Sequence, residues 1–146
     1  MSSDLAEALV AESEGLRLTA YRDSLGKWTI GYGHLLPQTQ EWTGHTITAD
    51  EADNLLTEDM RSARIIAGEF PHFEELNDVR QAVLISMAFQ LGTKPLAWPD
   101  FMAALEARQY GLAADAGLDS HWHSQTPARA EREMTMLRSG NWAMSA

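Results

Sequence analysis

The sequence predicts an α+β fold: a small N-terminal β lobe joined by a long helix to a larger, all-helical lobe. Three observations carry that reading. Apolar and polar residues alternate across 16–33, bounded by Gly15 and Gly33. A long helical pattern opens at Thr48-Ala49-Asp50-Glu51 with the signature of a capping box. A stretch from Asn77 to Leu91 is apolar nearly all round, as the central helix of a core must be.

The elements follow in order. Residues 4–14 read as a helix with Leu5, Leu9 and Val10 on one face and Gly15 as its stop. Leu16, Leu18 and Ala20 then alternate with polar residues, Asp23-Ser24-Leu25-Gly26 reads as a turn, and Trp28, Ile30 and Tyr32 alternate again, so 16–33 is expected to be a hairpin. The other face of its second strand carries Thr29, Gly31 and Gly33, nearly bare backbone that leaves room for a close approach. Residues 37–47 read as a loop. The connecting helix spans about 48–67, with Ala52, Leu55, Leu56, Met60 and Ala63 at helical spacing. The helical lobe takes 69–146: the helix at 77–91 stopped by Gly92, two shorter ones near 99–108 and 110–119, and a last one opened by Thr126-Pro127 and ended by Gly140. The helix at 4–14 is expected to pack with this lobe, and the whole of 1–146 to form a single catalytic domain.

Composition excludes several classes. With 146 residues the chain can bury a proper core. Eleven basic against 21 acidic side chains give a net charge of −10, with no basic stripe to neutralise phosphates, so nucleic acid is not an expected partner. No apolar run approaches the roughly 18 residues of a membrane helix, and the first residues lack the pattern of a secretory signal. The absence of cysteine fits a reducing cytoplasm.

The chemistry concentrates in one short stretch. Glu14, Asp23 and Thr29 place two carboxylates and a hydroxyl close together in sequence. Breaking an acetal requires a proton for the leaving oxygen and stabilisation of a cation-like sugar, and two carboxyls in different environments are the minimal equipment. Glu14 lies at a helix end beside Gly15 and Leu16, where partial burial suits an acid. Asp23 lies in a turn, where hydration keeps it charged. Thr29 offers a hydroxyl to orient a water. A helix-end Glu and a turn Asp are also common for purely local reasons, so spacing alone does not decide.

Longer motifs do. Glu14-Gly15-Leu16-Arg17-Leu18, Tyr21-Arg22-Asp23 and Thr29-Ile30-Gly31-Tyr32-Gly33-His34-Leu35-Leu36 resemble the active-site stretch of the T4-type phage lysozymes, glycoside hydrolase family 24. The resemblance continues through Thr48–Ala52, Val79-Arg80, Phe89-Gln90-Leu91-Gly92, Trp122, Gln125–Ala130 and Arg138–Trp142, and so covers almost the whole chain in order. It implies an N-acetylmuramidase cleaving the β-1,4 bond between N-acetylmuramic acid and N-acetylglucosamine in bacterial peptidoglycan. Glu14 matches the general acid, Asp23 the second carboxylate and Thr29 the hydroxyl that places the attacking water. The family inverts the anomeric centre, which calls for about 6.5–9.5 Å between the carboxyl groups rather than the roughly 5–5.5 Å of a retaining pair. Leu35 and Phe89 match positions that line the cleft between lobes and are expected substrate contacts; the bland alternative is packing at the lobe edge. His34 matches a structural partner of an Asp on the connecting helix, here Asp59, in a pair that should weaken once the imidazole loses its charge. No cofactor is implied. His121 and His123 alternate without a third ligand and are not read as a metal site. Trp122 is the tryptophan expected nearest the cleft.

The resemblance further implies a monomer serving as a phage or prophage endolysin, held in the host cytoplasm until a holin gives it access to the wall in the periplasm. A lysozyme used to breach the wall during infection, or delivered as an antibacterial effector, fits the same residues. So, from another class, does a catalytically dead wall-binding or assembly module, against which the intact Glu14, Asp23 and Thr29 argue. Two departures from the family stand out. The segment between Leu36 and Thr48 is shorter, and Phe101 and Ala116 stand where polar substrate contacts are expected. The family's familiar phage enzyme is basic, whereas this chain is acidic. Repulsion from a polyanionic envelope is screened over about 10 Å at 0.1 M salt, so activity on whole envelopes should rise with moderate salt or magnesium.

Overall fold

The molecule was analysed as a computed structural model that describes residues 2–143. Helix α1 (Ser2–Glu14) leads into strands β1 (Arg17–Arg22), β2 (Trp28–Gly31) and β3 (His34–Leu35). Helix α2 (Ala49–Ala67) follows, then α3 (Asp78–Leu91), α4 (Pro99–Glu106), α5 (Tyr110–Leu118), α6 (His121–Gln125) and α7 (Pro127–Ser139), with short 3-10 turns at Phe73–Glu75 and Lys94–Ala97. The expected α+β architecture is the observed one.

The sheet differs in detail from a plain hairpin. It is antiparallel with order β1-β2-β3; Tyr21 and Leu35 flank Thr29 on the middle strand. The alternation ends at Gly31, because Gly31 and Gly33 both have positive φ and turn the chain into the third strand. The two glycines therefore do not share one open face. Gly31 lies against Ala52 and Ile47, while Gly33 lies against the Glu14 carboxyl. The segment 37–47 is a loop, as expected, and is tied along β1: the Ala20 N–H donates to the His45 carbonyl at 2.8 Å and the Ile47 N–H to the Leu18 carbonyl at 2.9 Å. That pairing covers an edge that would otherwise be open.

Helix α2 starts where the capping box was read. Thr48 Oγ1 accepts the Glu51 N–H and Glu51 Oε1 accepts the Thr48 N–H. Its inner face, Ala52, Leu56, Met60, Ala63 and Ala67, is buried. Helix α3 is buried without interruption from Ala82 to Ala88 and forms the core's axis, packed by α1, α2 and α7. Each large apolar side chain buried here stabilises the fold by roughly 1.5–3 kcal/mol. At the far end of the lobe, Arg80 donates to the carbonyls of Leu137 and Arg138, and Asn77, the N-cap of α3, donates to Gly140 O. A cation at the last carbonyls of α7 and a left-handed Gly140 together close that helix.

One expectation is corrected here, and one departure from the family finds its reason. Trp122 is not a cleft wall: it is 2% exposed, stacks at a tilt on Trp98, and donates its Nε1–H to Gln90 at 2.8 Å. Phe101 is wholly buried, edge-on to Phe70 and Trp98, so it meets core rather than substrate. Ala116 lies partly buried beside a hollow between α4 and α5. Helix α6 was not anticipated; five polar-dominated residues carry no helical period to read.

Candidate active site

Glu14 is the last residue of α1, whose inner residues Ala6, Leu9 and Val10 are fully buried in the helical assembly. Anchored in that way, the helix delivers Glu14 to a fixed place rather than to a mobile terminus. Gly15, at φ +75°, ends the helix directly afterwards. The Glu14 side chain is 23% exposed, and its Oε2 accepts from Arg129 Nη1 at 2.7 Å. On its other side lies Gly33: a Cβ added there would stand 2.6 Å from Glu14 Oε1. The bare backbone is thus occupied by the Glu14 carboxyl, and the lobe with the sheet closes on that carboxyl through a glycine at φ +73°.

Arg129, on α7, is buried and divided between two carboxylates. Its Nε donates to Glu133 Oε2 at 3.1 Å and its Nη2 to Ser86 Oγ at 2.9 Å, while Ser86 Oγ donates to Glu133 Oε2 at 2.7 Å. Burial works against the guanidinium's charge, but Glu133 and Glu14 outweigh it and raise its pKa. Glu133 is wholly enclosed. Burial pushes its carboxyl up from the ordinary range, and Arg129 and Ser86 only partly oppose that.

Asp23 is positioned by its own turn. Its Oδ1 accepts the backbone N–H of Leu25 at 2.9 Å and of Lys27 at 2.8 Å, and the turn closes through Asp23 N to Lys27 O. Both amides converge on one oxygen, which leaves the lone pairs of the other for a water. Thr29 is 3% exposed, and its Oγ1 donates to Lys27 O at 3.0 Å. That donation leaves the hydroxyl oxygen to accept. The single residue Lys27 therefore ties Asp23 through its N–H and Thr29 through its C=O. Tyr21, opposite Thr29, lies in the field of both candidate carboxylates. Burial raises its phenol pKa, the Arg17 guanidinium 4.2 Å over its ring opposes, and the charges of Glu14 and Asp23 add to the rise.

A cleft of about 590 Å³ runs between the lobes. Gly33, His34 and Leu35 wall it from the sheet, Asp59 and Glu58 from α2, and Phe89 from α3. Leu35, 54% exposed, and Phe89 are brought to the same cleft; Glu14, Asp23 and Thr29 are not among its lining residues, and Glu14 adjoins its wall at Gly33. A hollow of similar size between α4 and α5 holds neither candidate carboxylate. His34 Nδ1 lies 2.8 Å from Asp59 Oδ2, the partner the resemblance implied. His123 has acceptors at both ring nitrogens, Leu118 O and Glu131 Oε2, and only the imidazolium satisfies both. The hydrogen bond to Glu131 accordingly raises its pKa. Among the described residues, no group of three or more His, Cys, Asp or Glu is placed to hold a metal ion.

Four residues of this site were not read from the sequence as functional: Arg129, Ser86, Glu133 and Tyr21. A serine amid the apolar run of α3, and an Arg and Glu four apart on α7, were the available signals. At that spacing the pair reads equally well as a surface ion pair.

The phage lysozyme family model matches residues 11–135, from the end of α1 into α7. The pre-baseplate central spike protein Gp5 of Enterobacteria phage T4 is 32% identical over 91% of this chain, which spans 27% of that protein's length. The endolysin of Salmonella phage P22 is 35% identical over 72% of this chain and 73% of its own. A probable T4-type lysozyme of Dictyostelium discoideum is 27% identical over 87% of this chain and 89% of its own. With a match that runs through both candidate carboxylates, the cleft and Arg129, the chain belongs to the phage lysozyme family.

Proposed function

We propose that this lysozyme-like hydrolase is an N-acetylmuramidase that cleaves the β-1,4 bond between N-acetylmuramic acid and N-acetylglucosamine of peptidoglycan by an inverting acid/base reaction. The observation that carries the reading is Glu14, pinned by Arg129 and abutted by Gly33, which walls the inter-lobe cleft. Glu14 gives its proton to the glycosidic oxygen as the bond to the anomeric carbon breaks. The ring passes through an oxocarbenium-like state, whose charge the Asp23 carboxylate stabilises. A water on the opposite face, accepted by Asp23 and oriented by Thr29, adds to the anomeric carbon; its proton passes to Asp23. Leu35 and Phe89 supply apolar contact to the sugar rings from the two walls of the cleft. No cofactor enters.

The biological role that fits is a phage or prophage endolysin, acting as a monomer on the wall in the periplasm after release from the host cytoplasm by a holin. Among the described residues no helix is long and apolar enough to cross a membrane. Similarity to a central spike protein favours a second reading, a lysozyme module of an assembly that breaches the wall. Both readings need the same chemistry. Purified peptidoglycan incubated with the protein should release fragments ending in reducing muramic acid, and Glu14→Gln should lower the rate by at least about 10²–10⁴, the usual contribution of a positioned acid. Fragments ending in reducing glucosamine, or equal rates for the two proteins, would overturn the reading.

A further inference from the structure

A single row of side chains crosses the sheet. Thr29 is the shared partner of both strand pairs: Tyr21 of β1 stands opposite it on one side and Leu35 of β3 on the other. Cross-strand partners project to the same face, with Cβ atoms about 4.5–5.5 Å apart. Ile30, next along β2, projects to the other face, towards the hollow that Leu55 of α2 and Trp42 line. Leu35 walls the inter-lobe cleft. The row therefore runs from the cleft wall, past the residue proposed to hold the water, to a ring that feels the charge of both Glu14 and Asp23.

The two ends of Tyr21 are treated differently. Its ring is held: Arg17, from the same strand, sets its guanidinium 4.2 Å from the ring centroid. Its hydroxyl is not held. The residue is half-buried, yet among the described residues the phenol oxygen has no hydrogen-bond partner. Burial above all, with the charges of Glu14 and Asp23, keeps the proton on that oxygen against the pull of Arg17. The group is an O–H donor with nothing in the protein to receive it.

We propose that Tyr21 is a substrate-binding residue whose phenol donates a hydrogen bond to a neutral oxygen substituent of the sugar ring seated between Glu14 and Asp23. This rests on the muramidase reading of the site. A hydrogen bond to the reacting ring strengthens as that ring moves towards its oxocarbenium-like state. Its loss therefore falls on kcat more than on KM. If the ring served only as packing for Arg17 and Thr29, a phenylalanine would serve as well.

The test is Tyr21→Phe, which removes one oxygen and leaves the ring under Arg17. Rates are measured on a soluble peptidoglycan oligosaccharide, with kcat and KM taken separately, and urea unfolding is followed in parallel. The variant's kcat should fall by about tenfold, the worth of one well-made hydrogen bond, while its KM and its urea midpoint stay as in the natural protein. A kcat within about threefold of the natural protein's overturns the proposal. So does a lowered urea midpoint, which would place the hydroxyl's role in the fold. Glu14→Gln assayed alongside separates the two failures. Loss of activity there with none in Tyr21→Phe removes this assignment alone; no loss in either removes the reading of the site.

Discussion

The two candidate carboxylates are held by opposite means. Asp23 is fixed by a turn of its own: two amides within four residues bind one oxygen, and Lys27, which supplies one of them, holds Thr29 through its carbonyl. Glu14 is fixed by tertiary structure: Arg129, 115 residues away in sequence, grips it, and that arginine is in turn held from α3 and along α7. The contrast separates fold from chemistry in the β turn and fuses them in the helical lobe. A local turn gives a partly hydrated carboxylate suited to work with water. A charge network across three helices gives a part-buried carboxyl whose place is set by the core.

Substitutions can break that contrast. Arg129→Met strikes where fold and chemistry coincide. It leaves Glu133 buried without its cation, and removal of one partner of a buried pair costs about 3–5 kcal/mol. The sign with pH follows from Glu133, whose pKa in the folded protein is already raised by burial. Below its unfolded pKa both states are protonated and no penalty arises; the penalty grows as pH rises towards the folded value. Urea unfolding should therefore show a large loss at pH 7 that shrinks by pH 5. An equal loss at both would mean that Glu133 is not the source.

Asp23→Asn tests the other half. The asparagine oxygen still accepts from Leu25 and Lys27, so stability should change by no more than about 0.5 kcal/mol. Activity should nonetheless fall by about 10²–10⁴. A loss of stability like that of Arg129→Met would erase the distinction between the two regions. Gly33→Ala probes their meeting point. It forces a Cβ into the Glu14 carboxyl at φ +73°, a conformation that costs roughly 1–2 kcal/mol for a residue other than glycine. Its activity should fall further than its stability, because the displaced group is the proposed acid.

The smallest effect belongs to His123 and Glu131, whose side chains are 32% and 62% exposed. Its folded-state pKa is raised, so its stabilisation is complete below the unfolded value near 6.5 and is lost as pH rises through the folded one. A melting-temperature difference between the natural protein and Glu131→Gln should be present at pH 6 and vanish by pH 9. Persistence to pH 9 would contradict this sign.

Local devices were legible in the sequence, and long-range ones were not. The capping box at Thr48, the stops at Gly15 and Gly140 and the turn at Asp23 depend on neighbours a few residues apart, and each sits where its pattern placed it. The assembly of Arg129 with Glu14, Ser86 and Glu133 depends on how three helices meet, which no spacing in the chain encodes. Phe101 and Trp122 show the same limit. An aromatic near a cleft motif and one in a core look alike until the neighbouring rings are known. Gly33 lies between these cases: its bare face was readable, but that its occupant is Glu14 was not.

The division of labour between the two carboxylates is tested most directly by the anomer first formed from a defined β-linked oligosaccharide, followed by proton NMR before mutarotation. If Glu14 donates the proton and Asp23 works with a water on the far face, the α anomer appears first. A first-formed β anomer would mean that Asp23 attacks the sugar itself, and would contradict the roles given to Asp23 and Thr29.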